Sequence, residues 1–233
     1  MKHKALKTVF LDTVPVMTGY LFLGVSFGIL LGEKGYGLGW AFAMALFMYA
    51  GSAQFLAVGL LANHASILSS AIAIFLLNAR HIFYAISLID AYKGTGKKKP
   101  YLIFSLTDET YSLVTQNNPP EGMKRHTYCL LVSVLDHFYW VAGCVLGSVA
   151  GNFIPISFEG IEFVLTALFV TLFTEQWLSN KNHFPAIVGT LATVLCLVLF
   201  GKEIFLIPSM VLIAVILTTA RKTGMRKEDA PHA

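Results

Sequence analysis

Three polar residues stand in the middle of a long apolar stretch, ASILSSAIAIFLLNARHIFYAISLIDAY, at residues 65–92. They are Asn78, Arg80 and His81. At about 1.5 Å per helical residue the stretch is long enough to cross a bilayer, where a charge at the centre costs roughly 2.5–3.5 kcal/mol. In a helix, Asn78 and His81 share a face, and Arg80 lies one turn from Tyr84 beside them. The pattern indicates a polar site inside a membrane protein, with Arg80 binding either a substrate carboxylate or a structural one.

The composition is that of a polytopic membrane protein. Of the 233 residues, 56% are hydrophobic and 13% are charged, and the mean hydropathy is +0.68. Soluble domains carry about 25% charged residues. The apolar residues form continuous runs rather than helical stripes. The net charge of +4 is concentrated at the ends and in loops, which is typical of charges that orient a chain in a membrane and not of a nucleic-acid binder.

Eight apolar segments are separated by connections too short to hold a soluble domain. We therefore expect an all-α, polytopic transmembrane helical bundle of seven or eight segments. The transporter domain should cover residues 14–220, between a cytoplasmic N-terminal tail (1–13) and a basic cytoplasmic tail (221–233). The segments are 14–32, 38–62, 65–92, 101–115, 127–150, 160–178, 184–200 and 203–220.

Two basic loops conflict with eight simple crossings. A cytoplasmic N-terminus would place the loop KGTGKKK, residues 93–99, outside and the Lys124–Arg125 loop inside. Basic loops prefer the cytoplasmic side. Both loops stay inside if 101–115 is re-entrant and if 65–92 is broken near Asn78. Because discontinuous helices commonly form transporter sites, we expect some segments to be broken or re-entrant.

The two halves of the chain carry weak signs of an internal repeat. Glycines recur at the same spacing in two triplets, Gly24, Gly28 and Gly32, and Gly143, Gly147 and Gly151. The tripeptide ALF precedes a glutamine twice, at 45–47 before Gln54 and at 167–169 before Gln176. Close packing of helices through small residues explains the glycines equally well. A genuine duplication would favour a transporter.

Two other polar clusters could recognise a ligand. In Tyr49-Ala-Gly-Ser-Ala-Gln54, small residues permit close approach and Gln54 offers a donor and an acceptor, for a ligand or for another helix. In Thr107-Asp108-Glu109, the adjacent carboxylates could bind a cation, accept a proton or receive an amino group. The alternative for Asp108 and Glu109 is an ordinary salt bridge in a loop.

Two further clusters are less informative. Asp136 and His137 interrupt segment 127–150, where Asp136 either neutralises Arg80 or His81 or takes part in a proton relay. Thr171, Thr174, Glu175 and Gln176 lie near the end of 160–178, which favours a solvated interfacial position.

No motif indicates an enzyme, a metal site or a cofactor. The sequence contains no P-loop, no G-x-S-x-G and no H-E-x-x-H. The three cysteines, Cys129, Cys144 and Cys196, lie in apolar runs without metal-ligand spacing, so we interpret them as core residues. An intramembrane hydrolase using the aspartates and histidines has no recognised ligand spacing in its favour.

Four motifs together resemble the AzlC family of branched-chain amino-acid permeases, which includes the YgaZ-type valine exporters. They are YAGSAQF at 49–55, NARHIFYAISL at 78–88, LTDETYSL at 106–113 and ALFVTLFTEQW at 167–177. The resemblance covers about residues 14–219. It implies the large subunit of a two-component exporter of valine, leucine and isoleucine in the inner (cytoplasmic) membrane, with a small AzlD-type membrane subunit as partner. The site residues it implies are Gln54, Asn78, Arg80, His81, Asp108 and Glu109.

The chemistry of a zwitterionic amino acid agrees with this resemblance. Arg80 or a broken-helix N-terminus could bind its carboxylate, and Asp108 or Glu109 its ammonium group. Phe47, Met48 and Phe55 could form an apolar wall for its side chain. We expect secondary active transport by alternating access, driven by protons through a buried carboxylate or His81. A passive channel for a small polar solute and a membrane enzyme are the rival classes. Apart from membrane lipid, the sequence indicates no other partner and leaves homo-oligomerisation open.

Overall fold

The structure, a computed structural model, describes residues 2–153, 163, 166–167, 170–171, 173–174, 177–178 and 182–228. Every regular element among them is a helix. Three helices are long and apolar enough to span a membrane, namely Lys4–Glu33, Arg125–Gly151 and Phe184–Gly201. A bent pair, Ile67–Asn78 with Arg80–Ser87, gives a fourth candidate span. The all-α class is confirmed for these residues, whereas the seven or eight segments are not.

The helices follow one another with short connections. In chain order they are α1 (Lys2–Glu33), α2 (Leu38–Ala43), a π-helical turn (Met44–Met48), α3 (Gly51–Ala62), α4 (Ile67–Asn78), α5 (Arg80–Ser87), a 3₁₀ turn (Gly96–Lys98), α6 (Lys99–Phe104), α7 (Asp108–Gln116), α8 (Arg125–Phe153), α9 (Phe184–Ile204) and α10 (Leu206–Glu228). The chain divides into two compact units, Met1–Ser70 with Leu77–Leu165, and Ala71–Leu76 with Thr166–Ala233. The first unit contains all the candidate site residues of the sequence analysis.

Glycines of both triplets lie in the contact between α1 and α8, with the exception of Gly32. Gly24 and Gly28 of α1 face Gly143 and Gly147 of α8. The backbones approach so closely that a Cβ added to Gly28 would lie 2.5 Å from the backbone nitrogen of Ser148. Small residues at this spacing are what permits two membrane helices to approach in this way. Close packing of α1 against α8 therefore accounts for these four glycines.

Helices α1 and α8 run parallel. Near the start of α1, the hydroxyl of Thr13 is 3.1 Å from that of Tyr139, and farther along both helices Gly28 lies against Gly147. Contacts that advance in the same direction along two helices require parallel axes. The chain between them consequently returns to the side from which α1 starts.

The basic loop 93–99 lies at the N-terminal ends of these two helices. Tyr92, which precedes it, is buried in one apolar cluster with Val9 of α1 and Tyr128 of α8. The loop is therefore at the same end of this unit as the N-terminal lysines and as Lys124–Arg125. This is the arrangement with both basic loops on one side that the positive-inside rule favours.

Two of the longer predicted segments are broken within their length. Segment 65–92 is interrupted between Asn78 and Arg80, with a bend of 43°, as the sequence analysis predicted. Segment 38–62 is interrupted as well, at Tyr49, which the sequence analysis did not predict. Tyr49 has φ 40° and ψ 50°, a left-handed conformation that is unusual for a bulky residue and is often found at functional sites.

Other segments differ from their predicted bounds. Segment 101–115 consists of α6 and α7, which are separated at residues 105–107. The first helix begins at Lys2, so it includes most of the expected tail 1–13. Much of segment 160–178 and the end of the basic tail, residues 229–233, lie outside the described residues.

In the second unit, α9 and α10 follow one another at the C-terminal end of the chain. Trp177 stacks on His183 with ring centroids 4.2 Å apart. The hydroxyls of Thr171 and Thr174 donate to backbone carbonyls one turn earlier, as threonine commonly does in helices. Thr171 and Thr174, the described residues of the polar cluster near the end of segment 160–178, therefore bond to the backbone of their own helix. Glu175 and Gln176 lie outside the described residues.

The glycine contact predicts unequal effects for two alanine substitutions on the same face of α1. Gly28→Ala should lower stability by about 1–3 kcal/mol, because its Cβ has no space against α8. Gly32→Ala is the matched control, since nothing lies within 4 Å of its added Cβ. Thermal unfolding of the purified proteins in detergent measures both, and equal midpoints would contradict the packing described for α1 and α8.

The shared position of the basic segments predicts the sidedness of two loops. In intact cells, a membrane-impermeant maleimide should label Lys34→Cys, at the far end of α1, but neither Lys97→Cys nor Glu121→Cys. All three should react after lysis, because all three positions are exposed. The native cysteines of the described residues are buried and give a low background. Labelling of Lys97→Cys in intact cells would show that the loop 93–99 is outside.

Candidate functional site

The polar residues of the first unit meet where helices are interrupted. Arg80 is the first residue of α5, and Asp108 is the first residue of α7. Thr107 caps α7 by accepting a hydrogen bond at its Oγ1 from the backbone N–H of Thr110, 3.2 Å away. Asp108 and Glu109 therefore occupy the first turn of a helix, where the dipole stabilises negative charge.

An ion pair joins two of these helix starts. Nη2 of Arg80 lies 2.7 Å from Oδ2 of Asp108. The same guanidinium nitrogen donates to Oγ of Ser52 at 3.3 Å, and the hydroxyl of Tyr84 donates to Oδ1 of Asp108 at 2.6 Å. Both carboxylate oxygens of Asp108 are thus bound by residues one helical turn apart on α5. Arg80 and Tyr84, which the sequence spacing placed one turn apart, therefore share one carboxylate.

The ion pair is partly exposed, and polar atoms at the site lack hydrogen-bond partners. The side chains of Arg80 and Asp108 are 29% and 28% exposed. Among the described residues, Nε of Arg80 and Oδ1 of Asn78 are buried atoms with no hydrogen-bond partner. A buried polar atom without a partner costs about 1–3 kcal/mol. The site therefore has unused hydrogen-bonding capacity next to an accessible charge pair.

Aromatic rings lie beside the ion pair. Tyr84 stacks on Tyr111 with centroids 4.5 Å apart, and the Tyr111 hydroxyl accepts a hydrogen bond from Ser87 at 3.1 Å. The His81 ring lies 5.8 Å from that of Tyr84, tilted by 58°. Two apolar ring faces and one imidazole thus lie around the carboxylate of Asp108.

A second polar group links α1, α7 and α8. The hydroxyl of Tyr20 is 2.8 Å from Oε2 of Glu109 and 2.6 Å from Oγ1 of Thr107. Oγ1 of Thr107 lies 3.1 Å from that of Thr110, which lies 2.8 Å from Oδ2 of Asp136. Glu109 and Asp136 are therefore connected by an unbroken row of three hydroxyl groups.

Two other predicted residues bind neighbouring helices. Gln54 is fully buried, and its Oε1 accepts a hydrogen bond of 2.7 Å from Nε1 of Trp140. Nδ1 of His137 is 3.2 Å from the hydroxyl of Tyr101, and its ring lies 4.2 Å from that of Tyr49. These contacts give Gln54 and His137 a role in joining α8 to the broken segments.

Phe47 and Phe55, suggested from the sequence as part of an apolar wall for the substrate, lie in two different environments. Phe55 is 1% exposed and packs edge-on against Phe27, with centroids 5.7 Å apart. Phe47 is 74% exposed. Phe55 is therefore a core residue of the first unit, and Phe47 lies at its surface.

The geometry decides between alternatives that the sequence analysis left open. Arg80 pairs with Asp108, so Asp136 is not its counter-ion. Asp136 instead accepts a hydrogen bond from Thr110, at the end of the row of hydroxyls. The sequence analysis missed Tyr20 and Thr110 as members of the site. A tyrosine in a long apolar run and a threonine within TDET gave little signal of contacts far apart in the chain.

The fold and this site define a helical membrane protein with a polar site at interrupted helices, and comparison with known proteins gives its family. Residues 15–154 match the family described as AzlC protein. The chain is 38% identical to the branched-chain amino acid transport protein AzlC of Bacillus subtilis, over 94% of this chain and 86% of that protein. It is 24% identical to the inner membrane protein YgaZ of Escherichia coli, over 88% and 84%.

A membrane protein of Helicobacter pylori is 41% identical over 94% of this chain and 96% of its own length. No solved structure matches the chain. On the match to the family and the identity to its relatives, the chain belongs to the AzlC family. It is a membrane protein, and the name of its Bacillus subtilis relative states branched-chain amino acid transport.

The ion pair predicts a characteristic pattern in a double-mutant cycle. Arg80→Gln and Asp108→Asn should each lower the unfolding midpoint, because each leaves one partly buried charge without its partner. The double variant should be more stable than the two separate losses imply, since no lone charge remains. Thermal unfolding of the four purified proteins measures the coupling. Strictly additive losses would contradict a direct interaction between the two side chains.

Proposed function

We propose that the protein is a secondary active transporter that exports branched-chain amino acids such as valine, leucine and isoleucine. The observation that carries the proposal is the accessible pair of Arg80 and Asp108, held 2.7 Å apart at a helix interruption. The transport named for the Bacillus subtilis relative supports the same substrate class. A guanidinium and a carboxylate side by side offer the opposite charges that the carboxylate and ammonium groups of an amino acid need.

In this proposal the substrate inserts between the two side chains. Its carboxylate accepts hydrogen bonds from the Arg80 guanidinium, including the donor at Nε that has no partner among the described residues. Its ammonium group donates to Asp108. The stacked rings of Tyr84 and Tyr111 supply an apolar surface for a branched side chain. Binding replaces the ion pair between Arg80 and Asp108 with two ion pairs to the substrate, which limits the electrostatic cost in a low-dielectric site.

We assign proton coupling to the second polar group, in which Glu109 and Asp136 lie near the substrate site. Export and a small AzlD-type membrane partner are what the resemblance to the family implies, and proton coupling is inferred from the buried carboxylates; all three are proposals for this chain. Cells preloaded with a radiolabelled valine dipeptide should release valine faster when the chain and such a partner are co-expressed. A protonophore should abolish the increase. Passive, non-saturable release would favour a channel and contradict the proposal.

The substrate assignment predicts the behaviour of matched charge substitutions. In proteoliposomes, Arg80→Gln and Asp108→Asn should each reduce valine counterflow at least about tenfold, because each removes a charge-assisted hydrogen bond of about 1.5–3 kcal/mol. The control is a second ion pair, Lys93 with Asp90, which is 2.6 Å long and has side chains 74% and 86% exposed.

Lys93→Gln and Asp90→Asn should leave the counterflow within about twofold of the unsubstituted protein, since surface pairs contribute about 0–1 kcal/mol. Full counterflow by correctly inserted Arg80→Gln and Asp108→Asn would contradict the assignment of the site.

A further inference from the structure

The row of hydroxyl groups between Glu109 and Asp136 contains four contacts. Their lengths are 2.8 Å from Glu109 to Tyr20, 2.6 Å from Tyr20 to Thr107, 3.1 Å from Thr107 to Thr110, and 2.8 Å from Thr110 to Asp136. All four are within hydrogen-bond distance. For each contact to be a hydrogen bond, one proton must lie between its two oxygen atoms.

The three hydroxyl groups supply only three protons for these four contacts, because a hydroxyl carries one donor. If both carboxylates are ionised, Tyr20 donates to Glu109 and Thr110 donates to Asp136. Thr107 can then donate to Tyr20 or to Thr110 but not to both. One contact remains with two oxygen lone pairs facing each other and no proton between them.

One additional proton on either carboxyl completes the row. A protonated Glu109 donates to Tyr20, which donates to Thr107 and so on to an ionised Asp136. A protonated Asp136 gives the same row in the reverse direction, ending at an ionised Glu109. Two protonated carboxyls would supply five protons for four contacts. One additional proton, on either Glu109 or Asp136, therefore makes all four contacts hydrogen bonds.

We propose that Glu109 and Asp136 share a single proton through the hydroxyls of Tyr20, Thr107 and Thr110, and that this row is a proton relay. In the transfer, the Glu109 proton moves to the Tyr20 oxygen while the Tyr20, Thr107 and Thr110 protons each move one oxygen along. Four O–H bonds break and four form. The net change is one proton from Glu109 to Oδ2 of Asp136.

The two ends of the relay differ in exposure to solvent. Glu109 is partly exposed, whereas Asp136, Thr110 and Tyr20 are 0%, 0% and 5% exposed. Oδ1 of Asp136 has no hydrogen-bond partner among the described residues. A proton that enters at Glu109 therefore reaches a carboxyl inside the first unit without passing through water.

The groups facing the two carboxyls are neutral or negative. Asp108 lies beside Glu109 on α7, and the hydroxyl of Tyr20 faces Glu109 from α1. The hydroxyl of Thr110 donates to Asp136, and Tyr49 and Tyr101 lie within range of its charge. Arg80 is paired with Asp108. The ion pairs of the described residues involve neither Glu109 nor Asp136. Without a counter-cation, one shared proton reduces the charge that must be kept away from water.

Infrared spectroscopy tests the proton count without substrate or transport. The purified protein at neutral pH should show the carbonyl stretch of a protonated carboxylic acid, shifted in D₂O. Glu109→Gln and Asp136→Asn should each lose this band, because the amide at one end donates in place of the acid and leaves the other carboxyl ionised. Asp12→Asn is the matched control that keeps it, since Asp12 accepts a hydrogen bond of 3.0 Å from Tyr128 and has no second carboxyl.

A band that persists in either single variant would assign the proton to one carboxyl and overturn sharing, as would the absence of a band in the unsubstituted protein. Thr107→Val should also lose the band. Without the Thr107 hydroxyl, Tyr20 donates to Glu109 and Thr110 donates to Asp136, so both carboxyls can be ionised and no remaining contact lacks a proton. Thr107→Ser should restore the band, which separates this effect from a loss of folding. A band unaffected by Thr107→Val would overturn the relay.

The role of the relay in transport rests on the proposed function, whereas the proton count does not. Valine counterflow by the unsubstituted protein in proteoliposomes separates the two. The expected result is counterflow together with the acid band. Counterflow without the band would overturn the relay alone, and the band without counterflow would overturn the proposed substrate while leaving the shared proton intact.

Discussion

The ion pair between Arg80 and Asp108 is the interaction on which the arrangement of the first unit depends. A guanidinium group in a largely apolar environment needs a counter-charge and partners for its donors. Both residues meet this requirement from the first position of a short helix, so the interruptions before α5 and α7 are part of the site. A continuous helix over 65–92 or 101–115 would not place these two helix starts together.

Adjacent carboxylates on α7 serve different partners. Asp108 is bound by Arg80 and Tyr84 of α5, whereas Glu109, the next residue, is bound by Tyr20 of α1. On the function proposed here, the substrate ammonium group binds to the first and the transported proton to the second. Any movement of α7 on substrate binding displaces both carboxylates, because Asp108 and Glu109 share one helical turn. This adjacency gives a physical route by which the two ligands influence each other.

The sequence was most informative where the physics is local. A charge in an apolar run has few tolerable environments, and for this reason Arg80, Tyr84 and the break near Asn78 were predictable. The basic loops likewise indicated a chain that returns to its starting side. The break at Tyr49 was not predictable, because Met44–Ala62 contains no proline and its left-handed residue is a tyrosine.

Contacts between residues far apart in the chain could not be predicted from the sequence either. Asp136 could be paired with Arg80, with His81 or with neither on composition alone, and only the packing of α7 against α8 directs it to Thr110. Tyr20 became part of the site because glycines bring α1 and α8 close together. The glycines were visible in the sequence, whereas their partners depended on which helices are neighbours.

The central claim is that Arg80 and Asp108 bind the two charged ends of one amino acid, and ligand binding by calorimetry tests it most directly. L-valine, isobutylamine, which lacks the carboxylate, and 3-methylbutanoate, which lacks the ammonium group, would be titrated into the purified protein. Valine should bind at least about tenfold more tightly than either analogue. In Arg80→Gln, valine should lose its advantage over isobutylamine. Equal affinity of valine and both analogues for the unsubstituted protein would contradict the account.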